Sequence, residues 1–206
     1  VGLVLGVVSF FNILYGTLVG ISKFEVKDIE FHHPNLPKAF DGYRIVQLSD
    51  IHIGSWIDNE KPINELVELV NAQKPDLIVF TGDLVNQRSC ELEGFQDILA
   101  QLHAKDGVYS ILGNHDYGSY YHWKNLKEQV NNIDNLVRMQ KAMGWKLLNN
   151  EYDILHHEGD RIALIGVEND GEPPFSQFAD LKKATKGTDG MFRILLSHNP
   201  THWRRE

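Results

Sequence analysis

Four short apolar runs, each closed by a cluster of side chains able to bind a metal, set the strongest limit on how this chain can fold. Residues 44–49 run into Asp50-Ile51-His52, residues 77–81 into Gly82-Asp83, residues 108–112 into Gly113-Asn114-His115-Asp116, and residues 192–197 into His198. Each run is rich in Val, Ile, Leu or Phe, the composition of a buried strand. In α/β sheets the carboxyl ends of neighbouring strands open onto one crevice. Clusters far apart in sequence can therefore meet in space.

The intervening segments supply the crossovers. Ile63, Leu66, Val67 and Val70 recur at helical spacing, with Asp58 or Asn59 as cap and Pro62 in the first turn. Leu92, Phe95, Ile98, Leu99 and Leu102 predict a second helix, and residues 123–143 one or two more. A crossover returns the chain in the same direction, so successive clusters lie at one edge of a parallel sheet. Strands are expected over 145–148, 152–156 and 161–167, the last two joined at Glu158-Gly159-Asp160 as a hairpin. A short helix over 177–184 leads to the final run.

The clusters offer carboxylates (Asp50, Asp83), imidazoles (His52, His198) and the amide oxygen of Asn114. Imidazole with carboxylate and no thiolate suits Zn, Fe or Mn rather than Ca or an iron–sulfur cluster. Asp83 is the natural bridge between two ions, because glycine at position 82 lets backbone approach closely. Two metals about 3.5–4 Å apart form a clamp for in-line displacement at phosphorus.

The ordered set Asp50-x-His52, Gly82-Asp83, Gly113-Asn114-His115-Asp116 and Ser197-His198 resembles that of the calcineurin-like metallophosphoesterases, over roughly residues 43–200. The resemblance implies an α/β fold of two mixed β-sheets sandwiched between helices. It further implies two divalent ions, the first held by Asp50, His52 and Asp83, the second by Asp83, Asn114 and His198. His115 would then be the general acid that protonates the leaving oxygen, with Asp116 biasing its tautomer or raising its pKa. The family closes its site with a Gly-His-x-His motif, and none occurs before Glu206. We therefore expect a domain cut short at its C-terminal end, with the last histidine ligands beyond residue 206; His202 lies too close to His198 to replace them.

Residues 1–22 carry no charge. At 1.5 Å per residue they reach about 30 Å, enough to cross a bilayer. The expected organisation is a transmembrane helix over 1–22 followed by a phosphoesterase domain over 23–206. Gly2-x-x-x-Gly6 and Gly16-x-x-x-Gly20 place small residues where further membrane helices could pack. Lys23 and Lys27 favour a cytoplasmic catalytic domain. A strand or two is expected over 24–31.

A net charge of −8 lacks the basic footprint of a nucleic-acid binder, and in a phosphate-processing protein it calls for cations in the site. Cys90, the single cysteine, excludes internal disulfides and thiolate cages. Membrane-anchored bacterial members of the resembled family, at the inner membrane, include enzymes that split the pyrophosphate of UDP-2,3-diacylglucosamine. That implies a phosphorylated small molecule or a lipid-linked substrate here. The rival expectation is a membrane-tethered metal-binding scaffold of the same fold without turnover.

Overall fold

The computed structural model describes residues 2–18, 20–173 and 175–204, in two compact units spanning 1–32 and 33–206. In the first unit, helix α1 (Gly2–Leu18) is followed by a 3₁₀ turn, Gly20–Ser22. Gly2–Ser22 is long and apolar enough to cross a membrane, and among its described residues the apolar window has none buried. Asn12 satisfies its amide on the Val8 carbonyl at 2.9 Å, the local solution open to a polar side chain on an apolar helix. The strand expected over 24–31 is absent; these residues carry no regular structure, and Ile29 and Phe31 stand exposed. An extended segment needs a neighbour's backbone to become a strand, and none of the described strands pairs with it.

The second unit contains two sheets. Strands β1 (Ile45–Leu48), β2 (Leu77–Phe80), β3 (Val108–Ser110) and β4 (Lys146–Leu147) lie in that order and are parallel throughout. Strands β5 (Glu151–His157) and β6 (Asp160–Gly166) form the expected antiparallel hairpin, and β7 (Phe192–Leu196) joins β6 in parallel. The architecture is thus the expected α/β fold with two sheets. Its second sheet is mixed, while the first is parallel.

Alternation along the strands divides the core. Leu77 and Val79 of β2, with Tyr109 and Ile111, pack against Leu155, Ile162, Leu164 and Leu196 of the second sheet. Ile78 and Phe80 face the other way, and Phe80 meets Trp145 at 5.4 Å between ring centroids. On the outer face of β6, Ala163, Ile165 and Val167 pack with Ala184 of a one-turn helix, Leu181–Ala184.

The crossovers follow the apolar spacing with local differences. Helix α2 (Lys61–Ala72) buries Ile63, Leu66, Val67 and Val70, but its N-cap position is Glu60 rather than Asp58 or Asn59. Residues 92–102 form only one helical turn, α3 (Gln96–Leu99), after a 3₁₀ turn Ser89–Leu92. The predicted apolar residues are still buried. The longer helix is interrupted at Gly94, whose φ of 87° leaves the helical range, while Glu91 accepts the N–H groups of Asn86, Gln87 and Arg88, at 2.6, 3.3 and 3.1 Å. A single helix, α4 (Leu126–Ala142), fills 123–143, capped by the Asn125 side chain on the Glu128 N–H at 3.0 Å. The chain leaves β1, β2, β3 and β7 at one edge, where the site forms.

Candidate metal centre

Past the ends of β1 and β2 the backbone enters a conformation that side chains rarely adopt. Asp50, His52 and Asp83 all have positive φ, at 54°, 46° and 60°. Each such residue costs on the order of 1–3 kcal/mol and persists only where its surroundings fix it. Here the two loops are stitched together, Asp50 N–H to Gly82 O at 3.0 Å, His52 N–H to Asp83 O at 3.1 Å and Ile53 N–H to Leu84 O at 2.9 Å. The loop after β3 closes on the same point. A Cβ added to Gly113 would lie 2.2 Å from Asp83 Oδ1, so only glycine admits that approach.

All six expected side chains other than Asp116 converge. Asp83 is central: its Oδ2 lies 3.6 Å from His52 Nε2 and 3.5 Å from His198 Nε2, and its Oδ1 accepts the His115 N–H at 2.9 Å. Asp50 Oδ1 is 3.8 Å from His52 Nε2, and Asn114 Oδ1 is 3.0 Å from His198 Nε2. Donor atoms of Asp50, Asp83 and His198 lie within 4.8 Å of one another, as do those of His52, Asp83 and His115. Asp83 belongs to both groups among the described residues and is 3% exposed.

The expectation for Asp116 is corrected. Its carboxylate is fully buried and accepts four backbone N–H groups, those of Asp83, Leu84, Val85 and Gly113, at 2.8, 2.9, 3.1 and 2.9 Å. Burial pushes this carboxyl up to about 7, opposed by the Gly113 amide and helped by the charge of Asp83. The group that touches His115 Nδ1 is instead the Asn86 carbonyl, at 2.6 Å. Since a carbonyl only accepts, Nδ1 carries a proton.

The donor set fits divalent cations. His198 Nδ1 meets the Thr81 carbonyl at 2.8 Å, turning Nε2 toward Asp83 and Asn114; such outer bonds fix the orientation of metal-binding histidines. Burial lowers the His198 pKa, but Asp83, the Thr81 carbonyl and Asp50 outweigh it and raise the value to about 9. The imidazolium thus occupies a place where the surrounding oxygens favour positive charge. Carboxylates, imidazoles and an amide oxygen without thiolate suit Mn, Fe or Zn.

The calcineurin-like phosphoesterase family model matches residues 43–206. This chain belongs to that family. Calcineurin-like phosphoesterases use divalent metals, and the cluster above supplies residues able to hold them. A zebrafish (Danio rerio) transmembrane protein with a metallophosphoesterase domain is 29% identical over 196 residues, 91% of this chain and 42% of the relative. A metallophosphoesterase of Bacillus subtilis is 30% identical, covering 80% of this chain and 54% of its own. A UDP-2,3-diacylglucosamine pyrophosphatase of Chlamydia trachomatis is 28% identical, covering 81% and 60%. The chain therefore spans about half the length of these relatives. Among solved structures, a phosphopantetheinyl hydrolase of Mycobacterium tuberculosis overlays with a TM-score of 0.39 at 19% identity, covering 62% of this chain and 42% of its own.

Sequence reasoning missed two residues around this calcineurin-like phosphoesterase site. Glu91 holds the loop that presents the Asn86 carbonyl to His115. Tyr120 places its hydroxyl 2.9 Å from Asn114 Nδ2 and its ring 4.5 Å from that of His115. His202 takes no part in these contacts; it is buried beside Ser197 Oγ, 3.3 Å from its Nδ1, and Asp170, 3.8 Å from its Nε2.

Proposed function

We propose that this chain is the catalytic domain of a membrane-anchored phosphoric ester or pyrophosphate hydrolase that works with two divalent metal ions. The observation that carries the reading is Asp83, whose buried Oδ2 lies 3.6 Å from His52 Nε2 and 3.5 Å from His198 Nε2. Asp50, His52 and Asp83 would hold one ion, and Asp83, Asn114 and His198 the other. Bound there, the ions would supply an acidified water as nucleophile and positive charge against the phosphoryl oxygens.

The remaining work falls to the chain itself. Asn86 O holds the His115 ring through Nδ1–H, so the ring would act as general acid only as the imidazolium, whose Nε2 proton would pass to the departing oxygen and leave the neutral Nδ1–H ring. Asp116 ties the backbone of Asp83, Leu84, Val85 and Gly113 into one unit, so the bridging carboxylate arrives already oriented. The apolar Gly2–Ser22 segment would keep the domain at a bilayer, and Lys23 and Lys27 support its lying on the cytoplasmic side. The zebrafish relative, a transmembrane protein, supports a membrane setting, for which the bacterial inner membrane is our reading. The Chlamydia relative also supports a lipid-linked pyrophosphate, of the UDP-2,3-diacylglucosamine kind, as substrate.

The test is manganese-stimulated hydrolysis of bis-nitrophenyl phosphate by the intact protein, followed by lipid-linked pyrophosphates in detergent. Metal-dependent turnover of either is the expected result. Stoichiometric metal binding without turnover of any phosphoester would contradict it and leave a metal-binding scaffold.

A further inference from the structure

The loop after Asp116 folds back over the site. Gly118 N–H bonds to the His115 carbonyl at 2.9 Å, and the turn is pinned by Trp123 Nε1 on the Gly118 carbonyl at 2.7 Å and by Gln129 Nε2 on the Tyr117 carbonyl at 2.9 Å. Tyr117 is buried with its hydroxyl on Glu168 at 3.1 Å, which anchors the loop's base. Tyr120, 50% exposed at the rim, then comes back to two residues of the site at once. Its hydroxyl accepts from Asn114 Nδ2 at 2.9 Å and its ring tilts over His115 at 4.5 Å.

Consider what the hydroxyl does to Asn114. A carboxamide has a donor end and an acceptor end, and only its oxygen can bind a cation. Rotation by 180° would present the NH₂ group to the cation instead. In this structure Nδ2 faces Tyr120, and Oδ1 faces His198 Nε2 at 3.0 Å, on the side of Asp83. Asn114 is only partly buried, so its side chain depends on these two hydrogen bonds for its position.

We infer that Tyr120 is a positioning residue that holds the Asn114 side chain in place by its Nδ2 end, with the amide oxygen toward the metal position shared with His198 and Asp83. The inference rests on the proposed ligand role of Asn114. Outer-shell partners of metal ligands are typically worth 10- to 100-fold in metal affinity. Tyr120→Phe removes the hydroxyl and keeps the ring, so it isolates this bond from packing over His115.

The experiment is calorimetric titration of Mn²⁺ into the metal-free intact protein and its Tyr120→Phe variant, with thermal unfolding of both in the absence of metal. Mn²⁺ binding weakened about 10-fold or more, with an unchanged unfolding midpoint, is the expected result. Equal Mn²⁺ affinity in the two proteins would overturn the inference and leave the phosphoesterase reading standing. A drop in affinity accompanied by a lower midpoint would also overturn it, in favour of a general structural role for the loop. Absence of Mn²⁺ binding in the unaltered protein would overturn both the inference and the ligand assignment beneath it.

Discussion

The carboxylate of Asp116 accepts the backbone N–H of Asp83 at 2.8 Å, so the residue beside His115 in sequence serves Asp83 in space. With three further amides on the same carboxylate, Asp116 is the knot that joins the loops after β2 and β3. Asp116→Asn keeps one acceptor oxygen where two are in use, leaving buried amides without a partner. Such a loss costs about 1–3 kcal/mol, which urea unfolding of the metal-free protein would register. Unchanged stability with an altered His115-dependent pH profile would restore Asp116 as the partner of that histidine.

His115→Ala should spare metal binding and lower turnover of substrates with poor leaving groups by roughly 100-fold or more. Nitrophenolate needs little protonation, so its esters should lose far less. Equal losses on both substrates would contradict the acid role. Loss of metal in the variant would make His115 a ligand, which its place among the donor atoms around His52 and Asp83 makes worth measuring.

Glu91 acts one step behind His115, through the loop that carries the Asn86 carbonyl. Glu91→Ala should reduce turnover of poor-leaving-group substrates by about 10- to 100-fold, the cost of a misplaced catalytic group. The loss should be absent in the His115→Ala background, since no oriented imidazole remains to be misplaced. Additive losses in the double variant would show that Glu91 works elsewhere.

The four strand ends were legible because a parallel sheet turns sequence order into a shared edge, and the residue types there were unlike those of ordinary turns. Asp50, His52, Asp83, Asn114 and His198 needed no knowledge of side-chain paths. Asp116 and Asn86 did: one serves backbone amides and the other offers a backbone carbonyl, and main-chain groups leave no mark in residue identity. Tyr120 depends on how the turn at Gly118 returns the chain, which three neighbouring aromatic residues do not reveal. The segment over 92–102 keeps its expected burial but not one continuous helix, because Gly94 turns the backbone at a φ of 87°.

Away from the site, Asp76 gives the domain an acid limit. It is buried, and its carboxylate accepts the Arg44 N–H at 2.8 Å and the Lys105 ammonium at 2.5 Å. Burial raises its pKa, but the Arg44 and Lys105 bonds outweigh it and hold the carboxyl below its ordinary 3.8. A lowered folded-state value means the stabilisation is fully present above the unfolded-state pKa and is lost as pH falls through the folded one. Urea unfolding should therefore weaken below about pH 4, and Asp76→Asn should flatten that limb. An acid limb of the same slope in the variant would assign it to other carboxylates.

In the proposed centre the Asp83 carboxylate serves two ions. Metal content of the intact protein and of Asp83→Asn, measured by elemental analysis after equilibration with Mn²⁺, tests it most directly. Two ions per chain in the unaltered protein and loss of both in the variant is the predicted result. One ion retained at full occupancy in Asp83→Asn would contradict the account, because the remaining site would then stand without Asp83.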